Sequence, residues 1–254
     1  MFLYPSILRS QNFNWINGAT GSSTGNSLTV DQFGRGYIAG GFAGISQEVI
    51  FVGDDTLQAA LTPELAKAFL VRYDVNSGLP QRSAYISIDN YSTKTNCPLP
   101  WNDTYVVAER IVVDRNGFIS VMGVFQGCDL ILFDRTGSPQ LSTVTAPFTT
   151  VYQRVFLARY DSNFTPVSCH VFSSYPENHI YPGDITLTNG PSSGKLFLAV
   201  SFQGNSINTE SFGSAGAPLS PYNNTFSNDP FSYDIFLAQF DIQNDQLENS
   251  TVIG

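Results

Sequence analysis

Gly40-Gly41-Phe42-Ala43-Gly44, Gly123-Val124-Phe125-Gln126-Gly127 and Val200-Ser201-Phe202-Gln203-Gly204 are three versions of one phrase. A second phrase follows each in the same order: FLVRYD from Phe69, FLARYD from Phe156 and FLAQFD from Phe236. Phe42, Phe125 and Phe202 are 83 and 77 residues apart, and Phe69, Phe156 and Phe236 are 87 and 80 apart. Self-similarity at a long, nearly fixed period marks a repeat architecture.

Each repeat reads as four short strands. The first ends in Leu28-Thr29-Val30, Ile111-Val112-Val113 or Ile185-Thr186-Leu187. A turn rich in Asp, Asn and Gly follows, the residues that tolerate positive φ. The second strand carries the first phrase: Tyr37 to Phe42, Phe118 to Phe125 and Leu196 to Phe202. Its small residues leave room for neighbouring sheets to approach. The third strand is the second phrase, whose apolar positions alternate. The fourth is Ser83 to Ile88, Val167 to Ser173 or Ser250 to Gly254. Between the second and third strands lies a long loop with its own echo, Phe51-Val52-Gly53, Phe133-Asp134 and Phe212-Gly213. In the first repeat this loop also holds Thr62-Pro63-Glu64-Leu65-Ala66-Lys67, where Thr at N-cap and Pro at N1 predict about one helical turn.

Short antiparallel strands repeated in fours predict an all-β, propeller-like array of three four-stranded blades. Blade spans are about 19–88, 105–174 and 181–254. Residues 1–12 form an N-terminal arm, and 13–254 a single domain. The opening MFLYPSILRSQ is too short and lacks the basic start of a signal peptide. An extra N-terminal strand over 13–17, holding Phe13-Asn14-Trp15-Ile16, has the look of a fourth strand completing a terminal blade. Three blades are fewer than the four to eight that close a ring. The arc therefore belongs to a longer polypeptide, is covered by other proteins, or joins a second copy in a six-bladed ring of two-fold symmetry.

The residues V-D-x-x-G, Y-I-x-G-x-F-x-G, F-G, T-L and F-L-x-[KR]-Y-D resemble the SBBP-type β-propeller repeat of bacterial surface proteins and some large-virus proteins. They stand here as Val30-Asp31, Gly34, Tyr37-Ile38, Phe42, Gly44, Phe51, Gly53, Thr56-Leu57, Phe69-Leu70 and Tyr73-Asp74. The second repeat keeps Val113-Asp114, Gly117, Phe125, Gly127 and Tyr160-Asp161, whereas the third has Thr188 for the Asp and Phe240-Asp241 for Tyr-Asp. The resemblance covers residues 13 to 254 and implies a scaffold or binding propeller without a defined chemistry.

Composition narrows the partners. Twelve Lys and Arg against 21 Asp and Glu give a net charge of −9, which disfavours nucleic acid and anionic membranes. No apolar run is long enough to predict membrane insertion. Only 13% of residues are charged, about half the usual share, and Asn, Ser, Thr and Gln supply the polarity. That balance, with five sequons at Asn90, Asn102, Asn163, Asn223 and Asn249, points to an extracellular surface or a virion particle. Cys97, Cys128 and Cys169 are an odd set that fits simple buried thiols, or one bridge with one free thiol.

The chemistry-bearing residues form no motif. His170 and His179 with the three Cys match no metal spacing, so no metal or other cofactor is expected. Cys169 and His170 are adjacent on a strand and point to opposite faces, which excludes a Cys-His nucleophile. Gly34 to Gly40 enters a strand rather than a helix and is no dinucleotide site. Asp54, Asp55, Asp129, Asp134, Asp184, Asp229 and Asp234 show no acid and nucleophile pairing. The repeated Asp31, Asp114, Asp74, Asp161 and Asp241 read as turn formers. Loop aromatics are the better lead: Trp101, Tyr175, Tyr181, Tyr222, Phe226, Phe231 and Tyr233 are candidate interface residues. The expected function is non-enzymatic: a structural or protein-interaction propeller that binds other proteins or copies of itself in a cell-surface or capsid-type assembly. A glycan-binding or glycoside-hydrolysing propeller is the alternative.

Overall fold

The computed structural model describes residues 22–43, 49–52, 55–58, 66–89, 104–143, 153–175, 179–188, 194–204, 206–213, 222–223 and 233–254. Among them are strands and turns but no helix. The N-terminal arm, the spare strand at 13–17 and most of the expected helical turn lie outside this set. Lys67, the last residue of that turn, instead opens a strand.

The first repeat forms β1 (Ser22–Val30), β2 (Arg35–Ala43), β3 (Val49–Val52), β4 (Asp55–Gln58), β5 (Lys67–Asp74) and β6 (Pro80–Asp89). The second forms β7 (Tyr105–Val113), β8 (Ile119–Gln126), β9 (Asp129–Phe133), β10 (Pro139–Ser142), β11 (Arg154–Tyr160) and β12 (Pro166–Tyr175). The third forms β13 (Ile180–Leu187), β14 (Lys195–Phe202), β15 (Ser206–Gly213), β16 (Tyr222–Asn223), β17 (Asp234–Asp241) and β18 (Gln246–Ile253). All four expected strands of every repeat are present.

Three antiparallel sheets result, and two of them are larger than expected. The first runs β1-β2-β5-β6-β9-β10, the second β16-β15-β12-β11-β8-β7, and the third β13-β14-β17-β18. The extra strands are the loop hairpins. Each crosses to the preceding sheet and pairs with its fourth strand. Ile86 faces Leu132 and Ile88 faces Leu130 where β9 joins β6, and Phe172 faces Thr209 where β15 joins β12. The physical reason is the open ladder of an outer strand, whose N–H and C=O groups need partners. Among the described residues, β3–β4 pairs only with itself and β18 has no outer neighbour. β3 and β4 lie beside β6, as β10 lies beside β12 and β15.

The sheets stack face to face. β7 lies across β1, β2 and β5 of the first sheet, and β13 across β7, β8 and β11 of the second. One core fills the first gap, with Leu70, Ile86, Phe125, Phe156 and Tyr160 buried in it. Another fills the second gap around Leu157, Phe172, Leu198, Phe202 and Phe236. Each such side chain contributes about 1.5–3 kcal/mol on burial. A smaller cluster of Phe42, Val71 and Tyr85 lies on the opposite face of the first sheet.

The two phrases act as a fixed alternation. Phe156 and Phe236 point back toward the preceding sheet and Phe69 points to the back of the first, while the next residues, Leu70 and Leu157, point forward toward the following sheet. The forward side of each sheet is its front face. Gly41 on the first front face lets Val107 of β7 approach to 3.2 Å of where a Cβ would sit. Gly40 and Gly123 have a different cause: their own sheet crowds them. A Cβ at Gly40 would strike the Thr24 carbonyl and the Phe69 ring, and one at Gly123 the Val107 carbonyl and the Phe156 ring.

The repeated aspartates close turns, as expected. The Asp114 carboxylate accepts from Asn116 N at 2.8 Å and Phe118 N at 2.9 Å, and Asp161 accepts from Asn163 N and Thr165 N, both at 2.8 Å. Asp31, Asp74 and Asp241 are used alike. Thr188 does the same work with a hydroxyl, accepting from Lys195 N at 3.1 Å. Cys128 is disulfide-bonded and Cys169 is a buried free thiol, so simple thiols throughout are corrected to a bridge and a thiol. Cys97 lies outside the described residues.

Candidate interaction surface

The same row of residues crosses every front face. In the first sheet it is Ala39, Leu70 and Ala84, paired side by side and buried under the second sheet. In the second it is Met122, Leu157 and His170, buried under the third. In the third sheet the row is Ala199, Leu237 and Thr251. Nothing described covers it. Leu237 is only half-buried, Phe197 beside it is 37% exposed, and Ile235 is 43% exposed. A concavity of about 460 Å³ opens here, floored by Phe197, Ala199 and Leu237 and edged by Asp184 and Thr251.

A turn of the following sheet locks each covered face. Between the third and fourth strands of the second sheet, Phe164 inserts against the first: its ring stacks on Tyr37 with centroids 6.5 Å apart, and the Arg72 guanidinium lies 6.0 Å above it. Arg82 donates from the same side to the Ser162 carbonyl at 3.3 Å and to Asn163 Oδ1 at 2.6 Å. In the third sheet the equivalent residue is Asp245, which accepts from Arg159 Nη1 of the second sheet at 3.0 Å. His170 Nε2 stands 3.3 Å from the other carboxylate oxygen, without hydrogen-bond alignment. Burial favours the neutral form of Asp245, but His170 and Arg159 outweigh it and hold its pKa at about 2. Phe164 and Asp245 both adopt left-handed backbone, with φ of 67° and 53°. The position of Arg72 and Arg159 is Gln239 in the third sheet.

Of the sequence-predicted aromatics, Tyr181 and Tyr233 stand exposed at this surface, with ring centroids 6.1 Å apart. Tyr181 also stacks on His179. Tyr181, Ser201, Ile235 and Ile253 form one cross-strand row on the same face. Tyr175 and Tyr222 lie in β12 and β16, and only their backbone is described. Trp101, Phe226 and Phe231 fall outside the described residues. Sequence reading did not select Phe197, Ile235 or Leu237. The available signal was the repeat itself, since Leu237 holds the place of the buried Leu70 and Leu157.

Two other polar groups invite chemical readings. Ser211 Oγ lies 2.8 Å from His170 Nδ1, and Asp245 faces Nε2, which is the connectivity of an acyl-transfer triad. Yet His170 and Asp245 are buried between two sheets, and Arg159 already neutralises the carboxylate. The arrangement binds β12, β15 and the β17–β18 turn together. Cys169 points into the other core, as strand alternation requires. Burial, with Asp129 adding and Arg154 opposing, raises the pKa of Glu210. Asp129 and Arg154 are buried, and Glu210 is half-buried. Asp134 is a turn former accepting from Thr136 N and Ser138 N, and Asp184 pairs with Arg110 at 3.4 Å. Among the described residues no cluster of three His, Cys, Asp or Glu suits a metal.

Neither a protein-family model nor a curated protein matches the chain.

Proposed function

We propose that this chain is a non-enzymatic structural module, an arc of a propeller of SBBP-like repeats, that works through protein contacts in a cell-surface or virion assembly. One observation carries the reading. Among the described residues, the third sheet presents an uncovered version of the face that the first and second sheets bury against their successors. Apolar front faces in this fold are made for another protein layer, and an exposed one marks an interaction site. The disulfide at Cys128 and the low charge content fit an oxidising, extracytoplasmic setting.

The test is the state of the chain in its native material. Gentle extraction followed by native separation and immunodetection should find it in a particle well above the 27.8 kDa chain mass. Recovery as a free 27.8 kDa chain throughout overturns the proposal.

A further inference from the structure

The uncovered face at one end has a counterpart at the other. Ile111 and Val113 of β7 pack into the gap above the first sheet, and Ile185 and Leu187 of β13 into the gap above the second. The same positions in β1 are Leu28 and Val30, which are 57% and 56% exposed. They project from the back of the first sheet, and no described residue receives them. Among the described residues, both halves of a contact made twice internally stand exposed: apolar knobs on a first strand, and an apolar floor on a front face.

We propose that a second copy of this chain docks on the third sheet, laying its β1 across Phe197, Ala199 and Leu237 as β7 and β13 lie across the sheets beneath them. The proposal rests on the reading of the chain as an assembly module and names its partner. Two further features fit this occupant. The locking turn of the first repeat carries Gly78, in the left-handed position of Phe164 and Asp245, with open space around it. Gln239 replaces the arginine that such a turn would meet. Joining these ends buries neither an unpaired guanidinium nor an unpaired carboxylate, either of which would oppose docking. The hairpin β3–β4 would also come to the open edge of β18, where β9 and β15 stand in the other sheets. The contact is head-to-tail, so it closes into a ring or propagates. Two copies bring six sheets, within the range of closed rings.

Light scattering on the purified full chain over a wide dilution series tests this. Wild type should show twice, or a higher multiple of, the 27.8 kDa mass. Leu28→Arg and Phe197→Arg, each alone, should hold the single-chain mass with unchanged circular dichroism. Val30→Arg and Ile235→Arg, at equally exposed positions, provide a second pair. Mixing Leu28→Arg with Phe197→Arg should restore a two-chain particle, because one intact floor then meets one intact knob. A wild type that stays single, an oligomer indifferent to all four variants, or no rescue on mixing overturns the proposal. A purified chain that stays single while the native material holds it in a large particle refutes self-docking and leaves the module reading standing.

Discussion

Phe164 allows a sharp test of how the sheets are joined. It is buried in the first core, its ring lies parallel to Tyr37, and its backbone sits at φ 67°. Phe164→Ala removes the ring and leaves a cavity between two sheets, a loss of about 3–5 kcal/mol. The alanine keeps a left-handed backbone that disfavours any residue with a Cβ by about 1–2 kcal/mol. Phe164→Gly removes the same ring but relieves that strain, offset by glycine's greater freedom in the unfolded chain, about 0.5–1 kcal/mol. The glycine variant should therefore be the more stable of the two by roughly 0.5–1 kcal/mol, reversing the order found at ordinary φ. Urea denaturation followed by fluorescence and circular dichroism measures both. At this size each kcal/mol corresponds to about 2–4 °C in Tm, so the variants should also melt well below wild type. An alanine variant more stable than the glycine one would refute the strain argument. Losses below about 1 kcal/mol in both would refute the reading of Phe164 as a lock.

Other outcomes follow from the same geometry. Asp245 has a depressed pKa, so its contribution is complete above the ordinary carboxylate range and disappears as pH falls toward about 2. The full shift corresponds to about 2.5 kcal/mol, and because the folded carboxyl is only half protonated at pH 2, the stability gap between wild type and Asp245→Asn should narrow by about 2 kcal/mol from pH 5 to pH 2 in acid titrations of the melting curve. Burial pushes the Cys169 thiol far above its usual range. A thiol reagent at pH 8 should leave Cys169 unlabelled in the folded chain and label it on denaturation, as peptide mapping will show. Gly40→Ala and Gly123→Ala force a Cβ into backbone carbonyls, and thermal melts should show losses of a few kcal/mol in each.

The strands were legible because their pattern is local. Phe69, Val71 and Tyr73 alternate with Leu70 and Arg72, and that alternation fixes both a strand and its two faces. The turns were legible because Asp31, Asp114 and Asp161 carry the chemistry that closes them. The destination of the loop hairpins was not. Phe133 and Phe212 announce an echo, but nothing in residues 129–142 or 206–223 says that they pair with the preceding repeat rather than their own. Edge pairing uses backbone groups, which every sequence has. The lock residues were hidden for another reason: Phe164 and Asp245 fill one structural position with unlike chemistries, a ring over an arginine and an ion pair with one. Tyr181 and Tyr233 were found as aromatics, but the face they border came from knowing which leucine lacks a neighbour.

The crossing hairpins also bear on how the chain is made. A sheet whose outer strands come from the next repeat cannot be finished when its own repeat leaves the ribosome. The first sheet waits for Ser142, and the second for Asn223. Until then β6 and β12 expose unpaired ladders, which are sites for wrong pairing in a nascent chain. Synthesis therefore leads folding by about one repeat along the chain. A truncation after Asp89 removes no residue of the first repeat, yet it leaves that sheet without its edge and without the layer above it.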